Sequence, residues 1–390
     1  MHHIIVFIFL ITGSCNTLLI KWTNTLTGEC NDGIWRYFQH PVVLTFLMFA
    51  GEFLCYVFYK TIFCFLRRRN NGSEDTNPLT SGDREFRPLN MLLPAFLDAI
   101  STILFLTGLY LTYVSSFQMI RSSAIIFVGL LGSIHMNQAL IGRHWSAIIT
   151  IICALIIIIS SDMQRVISDH NSLSHINSNA VLSGDLMIIC ASIFHAGRMV
   201  YEEKFLKACN VPILQAIGWQ GLFGLFITLF LGVFMNFLPT PVIPFNDSSR
   251  GVFDDLMDVF SQLRSNPWLV VALSLFIVTS LLYGYTSLCI IRFSSSANLV
   301  LAESVRSYLV WLIALLLEWE YLNLVSIIGF LILQMGLITY RRAILLEWYR
   351  SLVLRIWRNR YDDMSGDPTA GLGVGTAGSE VPTNRPADII

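Results

Sequence analysis

Residues 114–131 read VSSFQMIRSSAIIFVGLL, an apolar run that carries Gln118 and Arg121 about one helical turn apart. Its length is close to the roughly 20 residues that cross the hydrocarbon core of a bilayer as a helix. An arginine at such a depth costs roughly 2.5–3.5 kcal/mol on insertion scales, so it faces a partner or a water-filled cavity. We therefore interpret this run as a membrane helix that forms one wall of a transport pathway.

The composition predicts a membrane protein for the chain as a whole. Of its 390 residues, 54% are hydrophobic and 13% are charged, and the mean hydropathy is +0.63. A soluble domain has about 25% charged residues, because polar groups must cover its surface. The net charge is −1, and no basic run is interleaved with aromatic residues, so a nucleic-acid partner is not expected.

Ten transmembrane spans are predicted from the hydropathy of the chain. They cover residues 4–22, 42–66, 91–112, 115–134, 145–161, 184–201, 214–237, 268–290, 297–317 and 324–341. The first apolar run also resembles a signal peptide, but no Lys or Arg precedes it and it continues to Trp22. A first membrane helix is therefore favoured, with a signal peptide as the alternative.

The basic residues predict the orientation of these spans. With the N terminus in the cytosol, 16 of the 25 Lys and Arg residues fall on the cytosolic side and 4 on the other side. Both termini are therefore predicted to be cytosolic, which agrees with an even number of helices. The remaining five basic residues lie within spans. Of these, Lys21, Lys60 and Arg198 are near span ends, where we expect their side chains to snorkel to the interface.

Two parts of the chain match each other at nearly the same offset. A shift of 183 positions aligns Lys21 with Lys204, and a shift of 182 aligns Arg121 with Glu303. A repeat of five helices contains an odd number of spans, so the second repeat enters the membrane upside down. The predicted fold is an all-α polytopic membrane protein with ten transmembrane helices, arranged as two inverted five-helix repeats.

The predicted domains follow from these repeats. Residues 1–161 form the first repeat with a cytosolic loop at 67–90, a lumenal linker covers 162–183, and residues 184–345 form the second repeat. Residues 346–390 form a cytosolic tail whose composition predicts disorder from about residue 361.

The long loop of the second repeat, residues 238–267, lies on the lumenal side in this topology. It contains Asn246, whose sequon is a candidate for glycosylation. Apolar residues then recur at helical spacing from Phe253 to Leu263. They predict an interfacial or pocket-capping helix, with a purely structural helix on the rim as an equal alternative.

Polar residues inside the predicted spans are candidates for binding a solute. They are Asn16, Glu52, Asp98, Gln118, Arg121, Glu303 and Arg306. At 1.5 Å per residue, Arg121 and Glu303 each lie roughly 9 Å inside opposite edges of the hydrocarbon. Arg306 shares a helix face with Glu303. Two guanidinium groups near the midplane favour an anionic solute, since their planar N–H forks match phosphate or carboxylate.

These candidates also have structural alternatives. Glu303 and Arg306 could form an ion pair that holds helices together, and Glu303 could instead carry a proton for coupling. Glu52 and Asp98 could be buried carboxylates that bond to hydroxyl groups. Asn16 could mark close helix packing by small residues.

Signatures of enzymes and of metal sites are missing from the sequence. It contains no H-E-x-x-H, G-x-S-x-G or P-loop motif, and none of its eight cysteines is spaced C-x-x-C. We therefore expect no enzyme, no metal and no cofactor.

Several motifs together resemble a known family. They are TGSCNTL at 12–18 with Lys21-Trp22, FQHP at 38–41, GEF at 51–53, SSFQMIR at 115–121, EEKF at 202–205, GLFG at 221–224 and IGFLIL at 328–333. Over about residues 5–345 they resemble solute carrier family 35, F subfamily, in the nucleotide-sugar-transporter-like branch of the drug/metabolite transporters. The resemblance implies a five-plus-five transporter fold and a multi-pass endomembrane protein. The lysosomal membrane is favoured, with Golgi, ER or mitochondrion as alternatives.

The leading hypothesis is a secondary transporter of an organic, anionic small solute that works by alternating access, with a nucleotide-sugar-like or unassigned substrate. The alternative is a non-transporting membrane scaffold that acts through its tail or lumenal loop. The expected partners are a small-molecule solute and the lipid bilayer, and a homodimer is allowed. Sorting adaptors could also read Tyr361 and Met364 of the YDDM sequence in the tail.

Overall fold

The structure is a computed structural model that describes residues 2–68, 82, 86–136, 140–168, 178–237, 239, 250–317 and 324–342. The chain divides into two units, Met1–Arg341 and Arg342–Ile390, and the membrane-spanning helices belong to the first. The predicted glycosylation residue Asn246 and the sorting residues Tyr361 and Met364 lie outside the described residues.

Helices dominate the described residues. They are α1 (His2–Thr25), α2 (Pro41–Arg68), α3 (Leu92–Leu111), α4 (Val114–Arg121), α5 (Ala124–Met136), α6 (Gly142–Ser168), α7 (Ser178–Ala208), α8 (Ile213–Met235), α9 (Leu256–Ser265), α10 (Pro267–Phe293), α11 (Ser296–Leu316) and α12 (Leu324–Arg342). A 3₁₀ turn, Pro88–Met91, precedes α3. Two short strands, β1 (Thr27–Glu29) and β2 (Trp35–Tyr37), pair as an antiparallel hairpin.

Ten helices of the described chain are long and apolar enough to cross a membrane, one for each predicted span. Helices α4 and α5 together form the fourth span, Val114–Met136, and α9 lies outside the set. The outer surface fits a lipid environment, since large apolar side chains such as Phe230 and Ile134 are 76% and 70% exposed. The predicted all-α polytopic class is confirmed.

The fourth span is interrupted beside Arg121. The amide groups of Ser122 and Ser123 donate to the carbonyls of Met119 and Ile120, three residues back, rather than four. Such tighter turns inside a helix often mark a functional hinge, and serine hydroxyls compete with the helical hydrogen bonds. The break places Arg121 at the last residue of α4.

The helices pack most extensively as α1 with α10, α2 with α8, and α3 with α7. The α2–α8 seam shows why. Gly218, Gly221 and Gly224 recur at every third position of α8, and a Cβ atom on any of them would lie within 2.4 Å of α2. Small residues at a helix interface let two helix backbones approach closely in a membrane. The close approach brings α8 against Glu52 of α2.

A cap covers one end of the bundle. We use this name for the hairpin of β1 and β2 together with α9, the helix predicted in the long loop and confirmed here. Buried Asp254 accepts hydrogen bonds from Val42 N at 2.9 Å and from His40, whose Nδ1 lies 2.7 Å away. Asp258 accepts from Asn31 N at 3.0 Å. These carboxylates tie α9 to the hairpin and to the start of α2, which favours the structural alternative for this helix.

Candidate functional site

A cavity of about 80 Å³ lies among the spans and is lined by α1, α2, α3, α4, α7, α10 and α11. The predicted residues that line it are Asn16, Glu52, Asp98, Arg121 and Arg306. The other two predicted residues are placed differently. Glu303 lies behind the lining, bonded to groups that face the cavity. Gln118 is buried in α4, and its amide atoms have no partner among the described residues.

Arg306 of α11 reaches across to α1. Its Nη1 donates to the carbonyl of Gly13 at 3.1 Å and to Oγ1 of Thr17 at 2.6 Å. Its guanidinium carbon lies 5.7 Å from the ring centroid of Tyr283. The residue is only 2% exposed, and its Nε and Nη2 have no partner in the described part of the chain. The arrangement leaves donor groups of a buried cation available to a ligand.

Gly13 makes this position of Arg306 possible. A Cβ atom at residue 13 would lie 2.5 Å from Cδ of Arg306 and 3.0 Å from the ring of Tyr283. Contacts below 3.0 Å are essentially never tolerated, so a larger residue would displace the arginine or the tyrosine. The small residue of the TGS motif therefore belongs to the site rather than to general helix packing.

Glu303 is the centre of a second group of contacts. Its Oε1 accepts from the hydroxyl of Tyr283 at 2.7 Å and lies 3.5 Å from Nη2 of Arg121, while its Oε2 lies 3.3 Å from Nε2 of His195. Arg121 also stacks over the ring of Phe105 at 4.7 Å. The ion pair of Glu303 is thus with Arg121, not with Arg306 as one alternative supposed.

Arg198 organises the other side of the cavity. Its Nε lies 3.3 Å from Asp98 of α3, and its Nη1 donates to Glu202 at 3.1 Å. The expectation that Arg198 snorkels to an interface is wrong, since the residue is 4% exposed. The reason is the length of α7, which continues to Ala208 and so places Arg198 inside the span.

Glu52 faces this cavity from α2 and is 4% exposed. Its Oε2 has no hydrogen-bond partner among the described residues. Gly284 of α10 makes room for it, because a Cβ atom there would lie 3.3 Å from Cγ of Glu52. Gly221 of α8 packs against the other side, where a Cβ atom would be 2.9 Å from Cβ of Glu52.

No family model matches the chain. It is 33% identical over 378 residues to Solute carrier family 35 member F6 of Pongo abelii, a match that spans 97% of this chain and 96% of that protein. The human protein of the same name is 34% identical over 354 residues, 90% of this chain and 91% of its own length. The chain belongs to solute carrier family 35. The resemblance expected from its motifs is thereby confirmed.

Membership of solute carrier family 35 points to a multi-pass membrane protein that carries a small-molecule solute through a lipid bilayer, rather than to an enzyme. A solved crystal structure shares the fold at a TM-score of 0.51 and 13% identity, over 88% of this chain and 98% of that one. At this identity the likeness concerns the fold alone.

Sequence reasoning missed three members of the site that lie on α7. His195, Arg198 and Glu202 recur at intervals of three and four residues, which puts them on one helix face. This spacing was a usable signal, but the predicted span ended at residue 201 and so excluded Glu202. Tyr283 was also missed, since a tyrosine in an apolar helix carries no distinguishing pattern in the sequence.

Proposed function

We propose that this member of solute carrier family 35 is a secondary transporter that moves an organic small solute with an anionic group by alternating access. The solute site is the central cavity. The observation that carries the proposal is Arg306, a 2% exposed guanidinium with two donor atoms that have no partner among the described residues. A buried cation without a counter-ion is costly, and a carboxylate or phosphate of the solute would offset that cost.

The packing of the helices supports the two inverted repeats. Repeats of five would exchange the first span with the sixth and the third with the eighth. They would therefore exchange the pair α1–α10 with the pair α7–α3, and they would map α2–α8 onto itself. These are the three most extensive pairs. We accordingly propose residues 1–161 and 184–345 as the repeats. The predicted linker 162–183 is shortened at both ends, because α6 continues to Ser168 and α7 begins at Ser178.

Arg121 and Glu303 occupy equivalent positions in these repeats, 182 residues apart. The same offset relates the first residue of α4, Val114, to the first residue of α11, Ser296. Their 3.5 Å contact joins the two halves beside the cavity. A solute anion that approaches Arg121 would compete with Glu303 for the guanidinium. Binding of the solute would thereby weaken one contact between the two repeats. Alternating access requires such a link, because the bound solute must favour one arrangement of the repeats over the other.

The test begins with a thermal-shift screen of the purified protein against organic anions, including nucleotide sugars, nucleotides and small carboxylates. A compound that stabilises the protein is then followed into proteoliposomes. We expect Arg306→Ala and Arg121→Ala each to abolish uptake while expression and localisation persist. Arg264→Ala, a change of an exposed arginine on α9, is the matched control and should transport normally. Unchanged uptake in both cavity variants would refute this assignment of the site.

The scaffold alternative makes a different prediction for the tail. A scaffold that acts through residues 361–390 loses its function when they are deleted. A transporter loses at most its correct localisation in the cell. Under the proposal, adaptors that read Tyr361 and Met364 sort the protein to an endomembrane, with the lysosome favoured. Uptake by the truncated protein in proteoliposomes separates the two hypotheses, because reconstitution removes any need for sorting.

A further inference from the structure

The cavity has a second pole of opposite charge to Arg306. Most charged groups that line it already have counter-ions, since Arg121 contacts Glu303 and Arg198 contacts Asp98 and Glu202. Glu52 has no such counter-ion within 4.0 Å among the described residues. Its Oε2 also has no hydrogen-bond partner there, even though the side chain is buried, with 4% exposed.

The two poles lie against the same turn of one helix. Tyr283 of α10 packs under the guanidinium of Arg306, and the next residue, Gly284, leaves room for the carboxyl group of Glu52. No ion pair shorter than 4.0 Å joins Glu52 to Arg306 within the part of the chain that the structure describes. Glu52 and Arg306, each with polar atoms that have no partner among the described residues, therefore line the same small cavity.

We propose that the transported solute is a compact zwitterion of the α-amino-acid type. Its carboxylate accepts hydrogen bonds from the free N–H groups of Arg306, and its ammonium group donates to Oε2 of Glu52. The inference rests on the proposed function, which supplies the anionic half of the recognition. A zwitterion satisfies both poles at once, whereas an anion alone would leave the carboxyl group of Glu52 buried without a partner.

The size of the cavity supports a compact solute. Its volume of about 80 Å³ is far below the roughly 300–1,000 Å³ of sites for drug-sized ligands. A cavity this small suits an amino acid with a short side chain, while a nucleotide sugar requires several times more room.

The test uses matched derivatives of one solute. L-alanine carries both charges, N-acetyl-L-alanine keeps only the anion, and L-alaninamide keeps only the cation. The same trio is made for serine, whose side chain is similarly short. We expect the free amino acids to raise the melting temperature of the purified full-length protein at concentrations where both derivatives leave it unchanged. This comparison uses the wild-type protein, so it decides the question even where a variant fails to fold.

Variants then assign the poles. We expect Glu52→Gln to weaken binding of the free amino acid at least tenfold and to remove the preference for it over the N-acetyl derivative. Loss of a preference is not what a merely structural role predicts. Arg306→Gln should remove the preference over the amide. Glu29→Gln changes an exposed glutamate on β1 in the same way and should alter neither preference.

The outcomes also separate this inference from the proposed function. Equal stabilisation by alanine and N-acetylalanine, or Arg306-dependent binding of organic anions without any response to amino acids, overturns the zwitterion and leaves the transporter proposal standing. A protein that responds to no amino acid and no organic anion contradicts both.

Discussion

Arg306 shows how a single residue can depend on a neighbour in a distant part of the chain. Its guanidinium is held by the carbonyl of Gly13 and the hydroxyl of Thr17, 293 and 289 positions away. Only a residue without a side chain at position 13 leaves room for it. The glycine of the TGS motif and the arginine of α11 therefore act as one unit.

We expect Gly13→Ala to remove solute-dependent stabilisation and to destabilise the protein by about 1–3 kcal/mol, as overpacking typically does. The added Cβ atom would lie 2.5 Å from Arg306 Cδ, and the arginine must move away. Thermal unfolding with and without solute measures both effects. Gly142→Ala is the control, since a Cβ atom there meets nothing within 4 Å. A Gly13→Ala protein that binds like wild type would contradict the role given to this glycine.

The contact between Arg121 and Glu303 is open to a double-mutant cycle. Removing one partner of a buried ion pair costs about 3–5 kcal/mol, because the other charge is left uncompensated. Because Tyr283 and His195 remain as partners of Glu303, we expect Arg121→Ala to cost less than this and to leave a folded protein. We expect Glu303→Ala also to lower the stability, and the double variant to lose less than the sum. Unfolding in mixed detergent micelles measures the three values. Strict additivity would show that the 3.5 Å approach carries no coupling.

At the scale of elements, the seam between α2 and α8 positions Glu52. A Cβ atom on Gly221 would lie 2.4 Å from the backbone nitrogen of Phe53, and backbone cannot move aside as a flexible side chain can. Glycine at this point of α8 therefore lets the helix pack directly against the backbone that carries Glu52.

We expect Gly221→Ala to force the helices apart and to lower both the melting temperature and the affinity for solute. Gly232→Ala on the same helix is the matched control. Its Cβ atom would lie an ordinary 3.5 Å from Val42, and alanine favours helix over glycine by about 1 kcal/mol, so this variant should be at least as stable as wild type. Similar behaviour of the two variants would argue against a tight seam.

For the whole molecule, the distribution of basic residues predicts both termini in the cytosol. Asn246 then faces the lumen, and we expect a glycan that is lost on Asn246→Gln or on glycosidase treatment. Protease added to intact vesicles that carry the cytosolic face outward should remove tags from both ends while sparing the loop around Asn246. Protection of either terminal tag would overturn the topology.

Hydropathy and charge were sufficient to predict ten spans, the helix α9 and five residues that line the cavity. These features depend on the local cost of placing each side chain in hydrocarbon, which the order of residues states directly. The boundaries were less accurate. The predicted sixth span stopped at residue 201, because the charged run Glu202-Glu203-Lys204 is typical of the membrane–water interface. The sequence does not show which groups neutralise these charges, whereas in the structure α7 continues to Ala208.

Tertiary structure alone determined which charges are paired and which are left free. In the sequence, the seven candidates are all polar residues within predicted spans, and nothing shows which of them are paired. In the structure Arg121 neutralises Glu303, whereas Glu52 and Arg306 keep polar atoms without partners among the described residues. That difference depends on which helices meet and how closely. Glycines at positions 13, 221 and 284 set those approaches through contacts between helices that are distant along the chain. The energy of a buried charge depends on its partners in space, and no local pattern encodes them.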